Sequence, residues 1–325
     1  MSFSLLGVGS PLLDIQITAD DDFLQKFVPG EKGGMEPLGS REINEIVKRS
    51  GSASQIFPGG AAGNTVIALC RMGAKAALRG KIARDDNGGR YLDFVAKYGA
   101  DTSNLLIADE GSTGCCLAVV TPDAERTMRS ALGVSLDLTP AEIAQSDFSS
   151  FDAVLVEGFM VYSGVLEAMI RCAKSAGRCV IFDLASFEIA SKFRNMFLDL
   201  MPFIDILVAN SSEAEAFTGE SDPEKSLAAL RKLVPCAVVK CGENGVRFSG
   251  GTETFSVPAV PVGNAVDTTA AGDHWLAGFI YGRDRGESFR RSVEYGTLFA
   301  SKIIRHHGSV LTDEDVSELK MQLKV

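Results

Sequence analysis

Short, nearly continuous apolar runs alternate with amphipathic stretches along most of this chain. Ser4-Leu5-Leu6-Gly7-Val8-Gly9 predicts a buried first strand, ended by glycine. From residue 153 the rhythm is regular. Ala153-Val154-Leu155-Val156, Cys179-Val180-Ile181-Phe182, Ile204-Asp205-Ile206-Leu207-Val208-Ala209 and Ala237-Val238-Val239 predict strands with helices between them. Strands apolar on both faces, linked by helices, read as a mostly parallel sheet covered on both sides. Further strands are expected at 76–82 and 254–260. Helices are expected at 65–72, 90–98, 214–217, 275–281, 288–305 and 313–323. Residues 15–55 break the rhythm: Ile15-Gln16-Ile17-Thr18 alternates with period two, acidic residues follow, and a polar helix is expected at 40–50. Residues 115–121 and 126–130 flank Pro122-Asp123-Ala124-Glu125, a hairpin signal. We expect one α/β domain over residues 1–325, with a small β lid made by inserted segments at roughly 12–55 and 105–132.

Composition narrows the function. The 325 residues are 46% hydrophobic and 23% charged, ordinary for a soluble globular protein. A net charge of −10 argues against a nucleic-acid binder, which needs a basic face, but leaves room for a local anion site. Seven cysteines without regular spacing and only three histidines argue against zinc and fit reduced thiols in the cytoplasm. Met1-Ser2-Phe3-Ser4 lacks the basic-then-apolar pattern of a signal peptide. No apolar run approaches the ~18 residues that span a bilayer.

The candidate chemistry centres on Asp267-Thr268-Thr269-Ala270-Ala271-Gly272-Asp273, followed directly by an amphipathic helix. Small residues permit a tight turn. The N–H groups of Ala271, Gly272 and Asp273 then lie at a helix N-terminus, where anions bind. Asp273 reads either as a helix cap or as a base beside a bound phosphate. Three further points carry polar groups at strand ends or helix starts. Asp14 follows the first strand and reads either as a turn aspartate or as an acceptor for substrate hydroxyls. Pro58-Gly59-Gly60-Ala61-Ala62-Gly63-Asn64 is neither a Walker loop nor a dinucleotide fingerprint, yet its glycines allow close backbone approach. Asn210-Ser211-Ser212-Glu213 places an amide and a carboxylate at a helix start, against a plain capping box from Ser212 and Glu215. Lys240, ahead of Gly242 and Gly245, can meet a phosphate or solvent. Glu157 and Asp183 end strands. Arg126 and Arg129 face either a charged ligand or solvent.

In their order along the chain these points resemble the ribokinase-like (PfkB) family of sugar and nucleoside kinases. Asp267 to Asp273 is similar to that family's Asp-Thr-x-Gly-Ala-Gly-Asp signature. Gly59, Gly60 and Asn64 resemble its sugar-binding signature, Asn210 with Glu213 its Asn-x-x-Glu motif, and Gly242 with Gly245 its phosphate-side turn. The stretch 120–128 looks like the adenosine-kinase-like branch. The resemblance implies a three-layer α/β/α sandwich and an ATP-dependent phosphotransferase acting on a hydroxyl, preferably primary. It makes Asp273 the base, with Ala271 and Gly272 stabilising phosphoryl charge. It gives Asp14, Gly59, Gly60 and Asn64 to the substrate. Asn210, Glu213, Lys240, Gly242, Gly245, Asp267 and Thr268 go to the nucleotide, and Asn210 with Glu213 to Mg²⁺ through waters. It also admits a monovalent cation, K⁺, near Asp267 and Thr269. The acceptor expected is adenosine-like. A free sugar or sugar acid (ribose, fructose, 2-keto-3-deoxygluconate) is the second reading, and a non-catalytic binding protein on a kinase scaffold the third. A homodimer through the lid is a further expectation. Two departures stand out: Ala270 replaces a glycine, and His274 and Trp275 are bulky for positions just after the base.

Overall fold

The computed structural model describes residues 4–33, 35–52, 54–123, 125–263 and 265–324. Of the positions singled out above, Met1 to Phe3 and Ala124 lie outside the described residues. Nine strands form the large sheet: β1 (Ser4–Val8), β5 (Lys75–Ala83), β6 (Leu105–Ala108), β9 (Ala153–Glu157), β10 (Cys179–Asp183), β11 (Ile206–Asn210), β12 (Cys236–Lys240), β13 (Val246–Gly250) and β14 (Glu253–Val257). Their order is β14-β13-β12-β11-β10-β9-β1-β5-β6, all running in one direction except β13, which pairs antiparallel with β12 and β14. Helices cover both faces and bury two apolar clusters, one on each side. The three-layer α/β/α expectation holds.

The remaining strands, β2 (Leu12–Thr18), β3 (Met35–Pro37), β4 (Gln55–Gly59), β7 (Thr113–Val120) and β8 (Arg126–Gly133), form a second sheet in the order β3-β8-β7-β2-β4. The 115–130 hairpin is its antiparallel β7–β8 pair. The stretch 105–108, expected with the small sheet, pairs with β5 of the large one. Asp14 is in β2, in the small sheet, rather than in a loop after β1.

Helix starts differ most from expectation. The 65–72 helix begins at Ala61, because Gly60 at φ 89° turns the chain into it. The 90–98 helix begins at Asp86, capped by the Asp85 carboxylate, which accepts from the Gly88 N–H. The 275–281 helix runs from Ala271 to Asp284. The helix expected at 40–50 spans Ser40–Ser50. Among the described residues no helix is long and apolar enough to cross a membrane.

Along the chain, β1 is followed outward on one side by β5 and β6, and on the other by β9 to β12. Strand order therefore reverses at β1 and β9. In open α/β sheets ligands settle beyond the carboxyl ends of the strands at such a reversal.

Candidate active site

The carboxyl ends of β9, β10, β11 and β12 carry Glu157, Asp183, Asn210 and Lys240. The helix Ala271–Asp284 starts among them, and the helix Ala61–Arg71 meets it from the other side. Asn64 Nδ2 donates to Asp273 Oδ2 at 2.9 Å, and Thr65 Oγ1 donates to the Asp273 carbonyl at 3.1 Å. Asn64 is buried and its Oδ1 has no partner among the described residues. An unpaired buried acceptor beside a carboxylate suits a hydroxyl-bearing ligand.

At the helix start, the Ala271 N–H donates to the Thr268 carbonyl at 3.2 Å. The N–H groups of Gly272 and Asp273 keep no acceptor among the described residues, so the anion site rests on two free amides rather than three. Lys240 joins them. A Cβ on Gly272 would lie 3.0 Å from Lys240 Nζ, so the ammonium packs close against the helix start. Lys240 is also 3.2 Å from Asp183 Oδ2. Burial opposes its charge, but the carboxylates of Asp183, Glu213 and Asp273 hold its pKa above the ordinary value.

Burial pushes Asp273 up to about 6; the Asn64 hydrogen bond works against this and Asp183 adds to it. Asp273 is thus mostly ionised at neutral pH, yet a better proton acceptor than an exposed aspartate. Asp14 is pushed up to about 7, first by burial and then by Asp273. Gly59 faces it: a Cβ there would lie 2.7 Å from Asp14 Oδ2. Gly60 approaches the Ser10 carbonyl, where a Cβ would come within 2.4 Å.

Asn210 and Glu213 form a reciprocal cap. Asn210 Oδ1 accepts from the Glu213 N–H at 2.9 Å, and Glu213 Oε2 accepts from the Asn210 N–H at 2.7 Å. The expected capping box of Ser212 and Glu215 is therefore replaced by the pair two residues earlier. Burial, then Asp183, raises the Glu213 pKa. Three carboxylates, Asp183, Glu213 and Asp273, face one ammonium, and this excess of negative charge fits a divalent cation. No three His, Cys, Asp or Glu side chains among the described residues converge to hold a metal directly.

A monovalent cation fits less well. Arg126 Nη1, from β8, donates to Asp267 Oδ1 at 2.7 Å and to Thr269 Oγ1 at 2.6 Å. The guanidinium already holds the two oxygens expected to receive K⁺. Burial opposes the Asp267 charge, but hydrogen bonds from Thr269 and the nearby Arg126 keep its pKa below the ordinary range. Gly242 and Gly245 bracket the turn after β12, closed by Cys241 N–H to the Gly245 carbonyl at 2.7 Å.

Two residues set aside as strand-end or solvent groups matter here. Glu157 is fully buried and accepts from the Ser10 N–H at 2.7 Å and the Ala62 N–H at 2.8 Å. It ties the segment before Asp14 and the glycine loop to β9. Only its strand-end position signalled this. Arg126 gave no local signal, since its partners lie 141 and 143 residues away. Arg129 is buried and donates to the Pro29 and Glu31 carbonyls, away from the site. Asp14, Phe57, Cys116, Ala118, Arg126, Met128, Asp267 and Thr269 belong to the lining of one narrow cavity of about 60 Å³.

Ala270 takes φ 58°, ψ 10°, the left-handed region, at a cost of about 1–2 kcal/mol for a non-glycine residue. The side chains of His274 and Trp275 do not narrow the cavity. Both are buried, and Trp275 stacks on Phe279 and packs against Gly296.

The raised carboxylates have a consequence for stability. Burial lifts Glu157 to about 7, partly offset by its two N–H donors. Above pH 7, Asp14, Glu157, Glu213 and Asp273 are charged in the folded chain at a cost absent from the unfolded one. That cost is relieved as pH falls from about 7 towards 4. Carboxylates held low, such as Asp267 and Asp315, lose their contribution only below about pH 4, and His274, held neutral by burial down to about 4, offsets part of the gain below pH 6.5. The thermal midpoint is expected to be higher at pH 5.5 than at pH 8. A midpoint that falls over this range would show that the buried carboxylates do not govern acid stability.

The sequence profile of pfkB family carbohydrate kinases matches residues 40–315. A ribokinase from Haemophilus influenzae is 28% identical over 80% of this chain and 85% of its own length. An adenosine kinase from Schizophyllum commune is 28% identical over 94% of this chain and 96% of its own. The crystal structure of adenosine kinase from Sinorhizobium meliloti superposes with a TM-score of 0.87 at 27% identity, covering 99% of this chain and all of the other.

Proposed function

The chain belongs to the pfkB family of carbohydrate kinases, and from that premise we propose that it transfers the γ-phosphoryl group of Mg-ATP to a primary hydroxyl of an adenosine-like nucleoside. One observation carries the acceptor: a single cavity joins the carboxylate of Asp14 to an apolar wall of Phe57, Ala118 and Met128. A nucleoside presents those two chemistries together, ribose hydroxyls for the carboxylate and a flat base for the apolar side.

Asp14, Gly59, Gly60 and Asn64 hold the ribose, and Asp273 takes the proton of the attacking hydroxyl. The amides of Gly272 and Asp273, with Lys240 beside them, receive the charge that spreads over the transferring group. Mg²⁺, held by Asn210 and Glu213 through waters, would neutralise phosphate charge. Gly242, Gly245 and Thr268 line the nucleotide side. A second cavity of about 470 Å³, lined by Val260 to Gly263, Leu298, Ser301 and Lys302, lies along the segment leading into Asp267 and is assigned the nucleotide base.

The small sheet acts as a lid on this one kinase domain. The Asp14 cavity is far below the ~300 Å³ of ordinary ligand sites, so entry requires β8 and Arg126 to move away from Asp267. The sheet ends in β3 and β4; Ser309 and Tyr91 already hold the Pro58 and Gly59 carbonyls of β4, so the β3 edge is the one that suits a dimer through the lid. Seven free cysteines fit a reducing cytoplasm.

Arg126 supports a second acceptor class, because a guanidinium in the cavity also suits a sugar acid. The test is ADP release from Mg-ATP with adenosine, other nucleosides, ribose, fructose and 2-keto-3-deoxygluconate. The expected result is turnover confined to nucleosides, adenosine highest. Highest kcat/KM on the sugar acid or a free sugar would discard the nucleoside assignment.

A further inference from the structure

The catalytic helix starts from a strained turn, and the sequence supplies an unusual means of holding it. Ala270 is one of three non-glycine residues with positive φ among the described residues. No side chain caps the helix at that position. The orientation of the Ala270 peptide decides where the next amides point. Those of Gly272 and Asp273 are the two without acceptors.

The Ala270 carbonyl is held twice by one residue. The His274 N–H reaches it at 2.9 Å, as the first helical bond. The His274 ring Nδ1 reaches it at 2.9 Å as well. A carbonyl only accepts, so the ring proton is on Nδ1. His274 is fully buried, and burial lowers its pKa to about 4, so the ring is neutral and carries that single proton. Its Nε2 is left buried with no partner among the described residues. An apolar side chain would avoid that unpaired acceptor. The imidazole therefore makes sense through Nδ1 rather than through packing.

We propose that His274 is a positioning residue: its Nδ1–H clamps the Ala270 carbonyl, fixing the left-handed turn that presents the Gly272 and Asp273 amides to the transferring phosphoryl group. A glycine at position 270 would reach this turn without strain. This chain has alanine there and a histidine one helical turn later that holds it. The inference rests on the reading of the helix start as the phosphoryl site.

The test compares His274→Leu, His274→Asn and His274→Leu in an Ala270→Gly background by steady-state kinetics. The Asn side-chain amide can donate from nearly the place of Nδ1, whereas Leu only fills space. H274L is expected to lower kcat by about 10²-fold, the cost of an ångström-scale misplacement, with the acceptor KM little changed. H274N is expected to keep kcat within about tenfold of the wild type, a loss of no more than half of that on a logarithmic scale. In the A270G background, the same H274L change is expected to cost under about tenfold, because glycine needs no clamp.

A packing role predicts the opposite order, with Leu better tolerated than Asn. H274N as slow as H274L would overturn the proposal, as would an undiminished H274L loss in the A270G background. Should H274L not fold, His274→Ala replaces it in both backgrounds, read by the same comparison. Asp273→Asn, assayed alongside, separates the two readings. Wild-type turnover in D273N removes the phosphoryl site itself, whereas a dead D273N with a tolerated H274L removes only the clamp.

Discussion

Asp273→Asn is expected to lower kcat by about 10²–10⁴-fold, the usual contribution of a general base, while leaving the fold unchanged. The substitution keeps shape and removes charge. Asn64 Nδ2, 2.9 Å from Oδ2, still meets an oxygen in one amide orientation. A pH profile sharpens the result. Burial sets the Asp273 pKa to about 6, so wild-type kcat/KM should fall tenfold per unit below that point. In the variant that limb should vanish. Activity within tenfold of the wild type, or an unchanged acid limb, would transfer the base role to another group. Asp14, at about 7, is then the nearest alternative.

Lys240→Met is expected to lower kcat by about 10²–10³-fold, the scale seen when one donor to a developing oxyanion is lost. Lys240 is the ammonium that faces the carboxylates of Asp183, Glu213 and Asp273. Its removal takes positive charge from the phosphoryl site and leaves like charges crowded. Breaking a buried pair in this way costs about 3–5 kcal/mol when nothing replaces the partner. The variant should therefore also melt lower at pH 8, and recover part of the loss at pH 6, where Glu213 and Asp273 take up protons. Thermal scans at both pH values and steady-state kinetics in Mg-ATP check this. A kcat within fivefold of the wild type would place Lys240 outside the chemistry.

The mostly parallel sheet was legible because β9 to β12 are apolar on both faces, a pattern few other structures tolerate; the order of its strands was not. The glycine motifs were legible because backbone that must turn tightly or approach a ligand uses small residues at fixed spacing. Helix starts were less so. Asn210 with Glu213, and Ser212 with Glu215, satisfy the same capping pattern, and only the burial of Glu213 selects the first. Pairings across the fold were invisible. Arg126 finds Asp267 and Thr269, and Glu157 finds Ser10 and Ala62, through contacts that no local pattern encodes. The two departures, Ala270 and His274, were each visible as oddities. That His274 holds the Ala270 carbonyl twice became apparent only in three dimensions.

The position of β1 sets the order in which this enzyme can assemble during synthesis. Ser4–Val8 is made before every other strand of this sheet, yet it lies inside the sheet, with β5 on one side and β9 on the other. Its first neighbour is complete once Arg79 has emerged, and its second only at Val156, 77 residues later. At ribosomal rates of about 5–20 residues per second, one edge of the strand stays open for roughly 4–15 s. Glu157, which seats Ser10 and Ala62, arrives just after that edge closes. The acceptor half of the site therefore has to wait, partly formed, for the chain that completes it.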